Sequence, residues 1–72
     1  MLLQEFTDSS AISTVAFDKD ESKMWLRFTT GHLYEYRGVN QQVVMDLMQA
    51  PSKGVFYHEN IKDKYESEKV EE

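Results

Sequence analysis

The clearest alternation in the chain runs through Lys23-Met24-Trp25-Leu26-Arg27-Phe28, where Met24, Leu26 and Phe28 interleave with Lys23, Trp25 and Arg27. A period of two places these sets on opposite faces of a β-strand. A second alternating run, His32-Leu33-Tyr34-Glu35-Tyr36-Arg37, puts Tyr34 and Tyr36 on one face and Leu33, Glu35 and Arg37 on the other. The turn between them sets the register. A two-residue Thr30-Gly31 loop would pair Leu26 with Glu35 and drive a carboxylate into the core. A three-residue loop, Thr29-Thr30-Gly31, puts glycine where left-handed geometry is needed and pairs Leu26 with Tyr34 and Met24 with Tyr36. Parity and turn chemistry agree on the longer loop.

An earlier strand lies within Ser10-Ala11-Ile12-Ser13-Thr14-Val15-Ala16-Phe17, closed by the polar run Asp18-Lys19-Asp20-Glu21-Ser22. Ile12 has the opposite parity to Val15 and Phe17. One regular strand cannot bury all three on one face, so the expectation is either a β-bulge near Ser13-Thr14 or a strand wetted on neither face at its end. After Gly38 the period lengthens. Asn40 is a suitable N-cap for a helix over Gln41-Gln42-Val43-Val44-Met45-Asp46-Leu47-Met48-Gln49, with Val39 and Val44 spaced as a hydrophobic staple. Val43, Val44, Leu47 and Met48 form its apolar stripe. Pro51 disfavours helical geometry at Ala50 and closes the element. Ser52 caps a second helix whose stripe is Tyr57, Ile61 and Tyr65, widened by Phe56. The pattern therefore predicts an α+β fold: a three-stranded antiparallel β-meander followed by two short helices packed on one face.

With 72 residues there is one domain, near the lower limit for folding without staples. Cysteine is absent, which removes disulfides and thiolate zinc sites and fits a cytoplasmic location. The start, Met1-Leu2-Leu3-Gln4-Glu5-Phe6, lacks the basic region of a secretory signal, and no apolar run has the length of a membrane span. The net charge of −5 is unevenly distributed. Residues 66–72 carry four acids and one base, a net of −3, and are expected to be an acidic disordered tail. Residues 1–8 are expected to be an N-terminal extension, with the domain over 9–65. Residues 1–65 together carry 9 acids and 7 bases, a net charge of −2, unlike a protein that coats nucleic acid generally.

The residues resemble a known family. Ser9-Ser10-x-Ile12, Phe17-Asp18, Leu26-x-Phe28-x-x-Gly31-x-x-Tyr34-x-Tyr36-x-x-Val39 and Ala50-x-Ser52-x-Gly54-x-Phe56-Tyr57 follow in order, then Ile61 and Tyr65. This ordered set is similar to the KTSC domain, found at the C-terminus of some lysyl-tRNA synthetases and alone in small bacterial and phage proteins. Asn40 and His58 stand where the family usually has proline and often asparagine. The resemblance implies Leu26, Phe28, Tyr34, Tyr36, Phe56, Tyr57, Ile61 and Tyr65 as family-motif core residues. It implies RNA binding only by analogy with the synthetase fusion.

Candidate chemistry is sparse. Tyr34 and Tyr36 could stack bases on a sheet, but they share a face with Met24, Leu26 and Phe28, which the helices need. The core reading is favoured. Trp25, with Arg27 and Arg37 on the reverse face, could anchor a protein partner or a second copy, or stack a base. Alternatively the segment Leu2-Leu3-Gln4-Glu5-Phe6 folds back over it. Ser52-Lys53-Gly54 opens a helix and could receive a phosphate on free amides, although capping alone accounts for these residues. His32 and His58 lack the spacing of a metal site, so no metal or cofactor is expected. No serine–lysine or serine–histidine arrangement, P-loop or dinucleotide motif is present, and no small-molecule substrate is evident. The expected function is a non-enzymatic interaction module working through the Trp25 face on a protein partner or on itself. The alternative is an RNA- or DNA-binding domain (tRNA or single strand) using Trp25 with Arg27 and Arg37, or the Ser52-Lys53-Gly54 helix start.

Overall fold

The computed structural model describes residues 1–71. Five strands and two helices follow in the order β1 (Leu2–Glu5), β2 (Ile12–Asp18), β3 (Lys23–Phe28), β4 (Leu33–Arg37), α1 (Gln41–Gln49), α2 (Lys53–Asn60) and β5 (Glu66–Val70). The strands form one antiparallel sheet in the order β1-β2-β3-β4-β5. The α+β class stands, with a sheet of five strands rather than three. The central register is the one that parity and the turn required: Leu26 pairs with Tyr34 and Met24 with Tyr36. Phe28 N–H donates to the His32 carbonyl at 2.9 Å across the loop, and Gly31 takes φ +98°. The β2–β3 register shifts between Ile12 and Thr14, the site of the expected bulge. There the Ser13 hydroxyl donates to the Arg27 carbonyl at 3.1 Å. The extra residue lets Ile12, Val15 and Phe17 all point to the helix side, where each is buried.

That side of the sheet and the helices enclose one core, built on Ile12, Val15, Phe17, Met24, Leu26, Tyr36, Val39, Val44, Leu47 and Ile61. Asn40 Oδ1 accepts from Gln42 N–H at 2.7 Å and starts α1, while Val39 and Val44 are both buried. Tyr34 packs at the margin of the core, its ring edge-on to Phe28 at 5.8 Å.

Three expectations are corrected. Residues 1–8 are not a mere extension: β1 pairs with β2 from Leu2–Phe17 to Glu5–Thr14, and Leu2 and Phe6 pack against the core. Residues 66–70 of the expected disordered tail form β5 beside β4; Glu72 lies outside the described residues. Backbone pairing orders this strand although its side chains are mostly exposed. The second helix does not run to Tyr65. It ends at Asn60, where both Ile61 and Lys62 N–H donate to the Tyr57 carbonyl, and Asp63 takes φ +62°. Aspartate tolerates this left-handed geometry, which turns the chain back toward the sheet edge. Ile61 is fully buried at that corner, and Tyr65 packs from the turn rather than from a helical stripe.

Candidate functional site

The face of the sheet opposite the helices is built from three cross-strand rows. Leu3, Ala16, Trp25, Glu35 and Glu68 lie opposite one another in the first. Glu5, Thr14, Arg27, Leu33 and Val70 form the second. Asp18, Lys23, Arg37 and Glu66 form the third. Alternation within each strand brings Trp25, Arg27 and Arg37 to this one surface. The N-terminal segment lies beside the sheet as an edge strand and does not fold over Trp25.

The face has two distinct parts. Toward β1, a shallow hollow of about 360 Å³ is lined by Met1, Leu3, Thr14, Ala16, Trp25, Arg27 and Leu33. Met1 is 87% exposed and Leu3 68%, so their apolar surface is open to water. Toward β5 the face is ionic. Arg37 Nε donates to Glu35 at 3.0 Å, and its Nη2 donates to Glu68. The Glu68 and Glu35 carboxylates raise the Arg37 pKa further above its ordinary value. Arg27 Nη1 donates to the Gly31 carbonyl at 2.9 Å. Among the described residues, five side-chain carboxylates (Glu5, Asp18, Glu35, Glu66, Glu68) share this face with three basic side chains, Lys23, Arg27 and Arg37.

The Ser52-Lys53-Gly54 trio lies in the helix layer, not on this face, so the two nucleic-acid candidates are not brought together. Each of its residues is engaged by the fold. Ser52 Oγ accepts from Val55 N–H at 3.3 Å. Lys53 Nζ donates to the Ala50 carbonyl and sits 5.0 Å from the Phe6 ring centre. A Cβ on Gly54 would lie 3.1 Å from the Ala11 Cβ, so glycine lets the first turn of α2 approach the start of β2. Gly54→Val should therefore lower stability by about 1–3 kcal/mol in urea denaturation, the usual cost of overpacking. The neighbouring hollow of about 290 Å³ also contains Asp8, whose carboxylate opposes an incoming phosphate.

His32 and His58 are exposed, and no group of metal-binding side chains is present among the described residues. No helix there is long and apolar enough to cross a membrane. Sequence reasoning missed the contributions of Leu3, Glu68 and Val70 to the face, because β1 and β5 went unread. The even parity of Leu2, Gln4 and Phe6, which places two apolar residues on the core side, was the available signal for β1.

A five-stranded antiparallel sheet with both helices on one side defines a small α+β domain. The model of the KTSC domain matches residues 8–65, and the chain belongs to that family. A KTSC domain protein from Yersinia pestis, known from its crystal structure, superposes with a TM-score of 0.87 at 30% identity, covering 97% of this chain and 100% of that one. A protein of Tsukamurella paurometabola is 38% identical over 58 residues, 81% of this chain and 87% of its own length. The lysine–tRNA ligase of Nostoc punctiforme is 32% identical over 63 residues, 88% of this chain. The chain spans only 11% of the length of that ligase, and the same figures hold for the ligase of Trichormus variabilis.

Proposed function

We propose that the chain is a non-enzymatic interaction module that docks a protein partner on the open face of its sheet. The observation that supports this most is the apolar hollow around Trp25, bounded by exposed Met1 and Leu3 and by Leu33. A partly buried tryptophan in a shallow apolar hollow is the kind of anchor that dominates protein interfaces. The ionic half of the face, with carboxylates in excess, would select a partner that brings cations to Glu66 and Glu68.

The nucleic-acid alternative is weaker on the same surface. A phosphate backbone needs cations in surplus, whereas Arg37 is held between two carboxylates and acids outnumber bases on the face. The test places a photo-crosslinking residue at Leu33 or, as a control on the helix layer, at Glu59, in the native host. A discrete protein adduct is expected at Leu33 and not at Glu59. Trp25→Ala should reduce it roughly tenfold or more, as truncation of an interface anchor does. Titration with tRNA at low salt should leave Trp25 fluorescence unchanged. Quenching that disappears at high salt, or adducts at Glu59 alone, would overturn the proposal.

A further inference from the structure

We infer that β1 is a self-pairing edge through which two copies of this chain join their sheets into one ten-stranded sheet. The inference rests on the interaction face above and extends it, since pairing at this edge makes two such faces continuous.

The geometry comes from the β1–β2 ladder. Phe6 N–H donates to the Ser13 carbonyl at 2.9 Å, and Leu2 to Glu5 continue the same register opposite Phe17 to Thr14. Phe6 and Ser13 are therefore a hydrogen-bonded pair. In an antiparallel ladder such pairs alternate with non-bonded ones. Leu2 and Gln4 then turn their amide and carbonyl groups toward β2, while Leu3 and Glu5 turn theirs outward to the open edge. The side chains of Leu3 and Glu5 lie on the open face.

A two-fold axis perpendicular to the sheet at Leu3 satisfies those outward groups. It sets Leu3 against Leu3 of the second copy as a hydrogen-bonded pair, and Glu5 against Met1. It leaves the open faces of both copies on the same side. The first row then runs unbroken from Trp25 through Ala16 and Leu3 to the same residues of the copy.

The other edge does not allow this. Self-pairing of β5 about Glu68 opposes that carboxylate with its own copy, and pairing about Ser67 opposes Glu66 with Glu68. Like charges directly opposite one another disfavour pairing. Charged edge strands are a usual defence against association, and β5 has it. Leu2, Leu3 and Gln4 of β1 do not. Because β1 is only four residues long, the interface is small and the dimer weak and concentration-dependent.

Sedimentation velocity of the full chain from about 10 µM to about 1 mM, a range suited to weak association, should show the 8.5 kDa monomer giving way to a dimer. Hydrogen exchange at the Leu3 and Glu5 amides should slow as the dimer forms. L3K, which puts two ammonium groups on the dyad, should weaken dimerisation by about tenfold or more. L3P, which removes the outward-facing donor, should do the same. Glu68→Lys should leave it intact. A monomer at every concentration, a dimer indifferent to L3K, or Leu3 and Glu5 amides that exchange freely in the dimer would each overturn the inference. None of those results touches the Leu33 crosslink, on which partner docking stands separately.

Discussion

Leu26→Ala is expected to leave the domain barely folded, while Trp25→Ala, one residue away, leaves it intact. Leu26 is fully buried, paired with Val15 on one side and Tyr34 on the other, beneath the helix layer. Truncating a buried leucine costs about 2–5 kcal/mol through lost transfer energy and the cavity left behind. A chain of this length has roughly 4–11 kcal/mol of total stability. The variant therefore loses a large part of it. Each kcal/mol is worth about 4–8 °C in a domain of this size, so the melting midpoint should fall by about 10 °C or more. Trp25 has its side chain on the open face between Ala16 and Glu35. Its removal forfeits cross-strand packing worth about 1 kcal/mol. Thermal melts followed by circular dichroism separate the two. Comparable losses in both variants would contradict the assignment of faces.

The same pair of residues explains why much of this fold was legible. Strict alternation through Lys23 to Phe28 separates core from surface without any knowledge of neighbours, and the Thr29-Thr30-Gly31 loop then fixes β4 against β3. Ile12 announced the bulge by its wrong parity. The two edge strands were not legible, for different reasons. β1 has four residues and one core contact of its own, and its parity shows only when Phe6, beyond the strand, is counted with Leu2. β5 reads Glu66-Ser67-Glu68-Lys69-Val70, with almost no apolar content, so its order comes from backbone pairing with β4 and from Glu68 meeting Arg37. Neither source leaves a hydrophobic pattern. Tyr57, Ile61 and Tyr65 misled in the opposite direction. Their fourfold spacing continues a helical stripe, but Asp63 in left-handed geometry breaks the helix and still delivers Tyr65 to the core margin. For the candidate site, alternation was enough to gather Trp25, Arg27 and Arg37 on one face. The pairing of Arg37 with Glu68 could not be seen until β5 existed, and β5 leaves the face ionic with carboxylates in excess.

Above pH 10 the domain should lose stability steeply, and Tyr36 should be a main cause. Its side chain is buried, with the hydroxyl 3.0 Å from that of Tyr57, and the two rings meet edge-on. Burial first, then the hydrogen bond to Tyr57 and the nearby Tyr57 and Tyr34 hydroxyls, push the Tyr36 pKa well above the ordinary value for a phenol. The sign follows from proton linkage. Below the unfolded-state pKa of about 10, folded and unfolded chains hold the same proton and the group is silent. As pH rises above it, the unfolded chain releases the proton while the folded chain keeps it. Stability then falls by up to about 1.4 kcal/mol per pH unit from this one group. Tyr36→Phe removes the effect. At pH 7 that variant should be less stable by about 1 kcal/mol, having lost the hydroxyl pair. Between pH 10 and pH 12 (about the range in which an unfolded tyrosine ionises) its stability should decline more gently than the wild type, so that the two curves converge and cross. Urea denaturation at stepped pH measures both slopes. Parallel decline of the two proteins would show that Tyr36 ionises freely in the fold and is not sealed in the core against Tyr57.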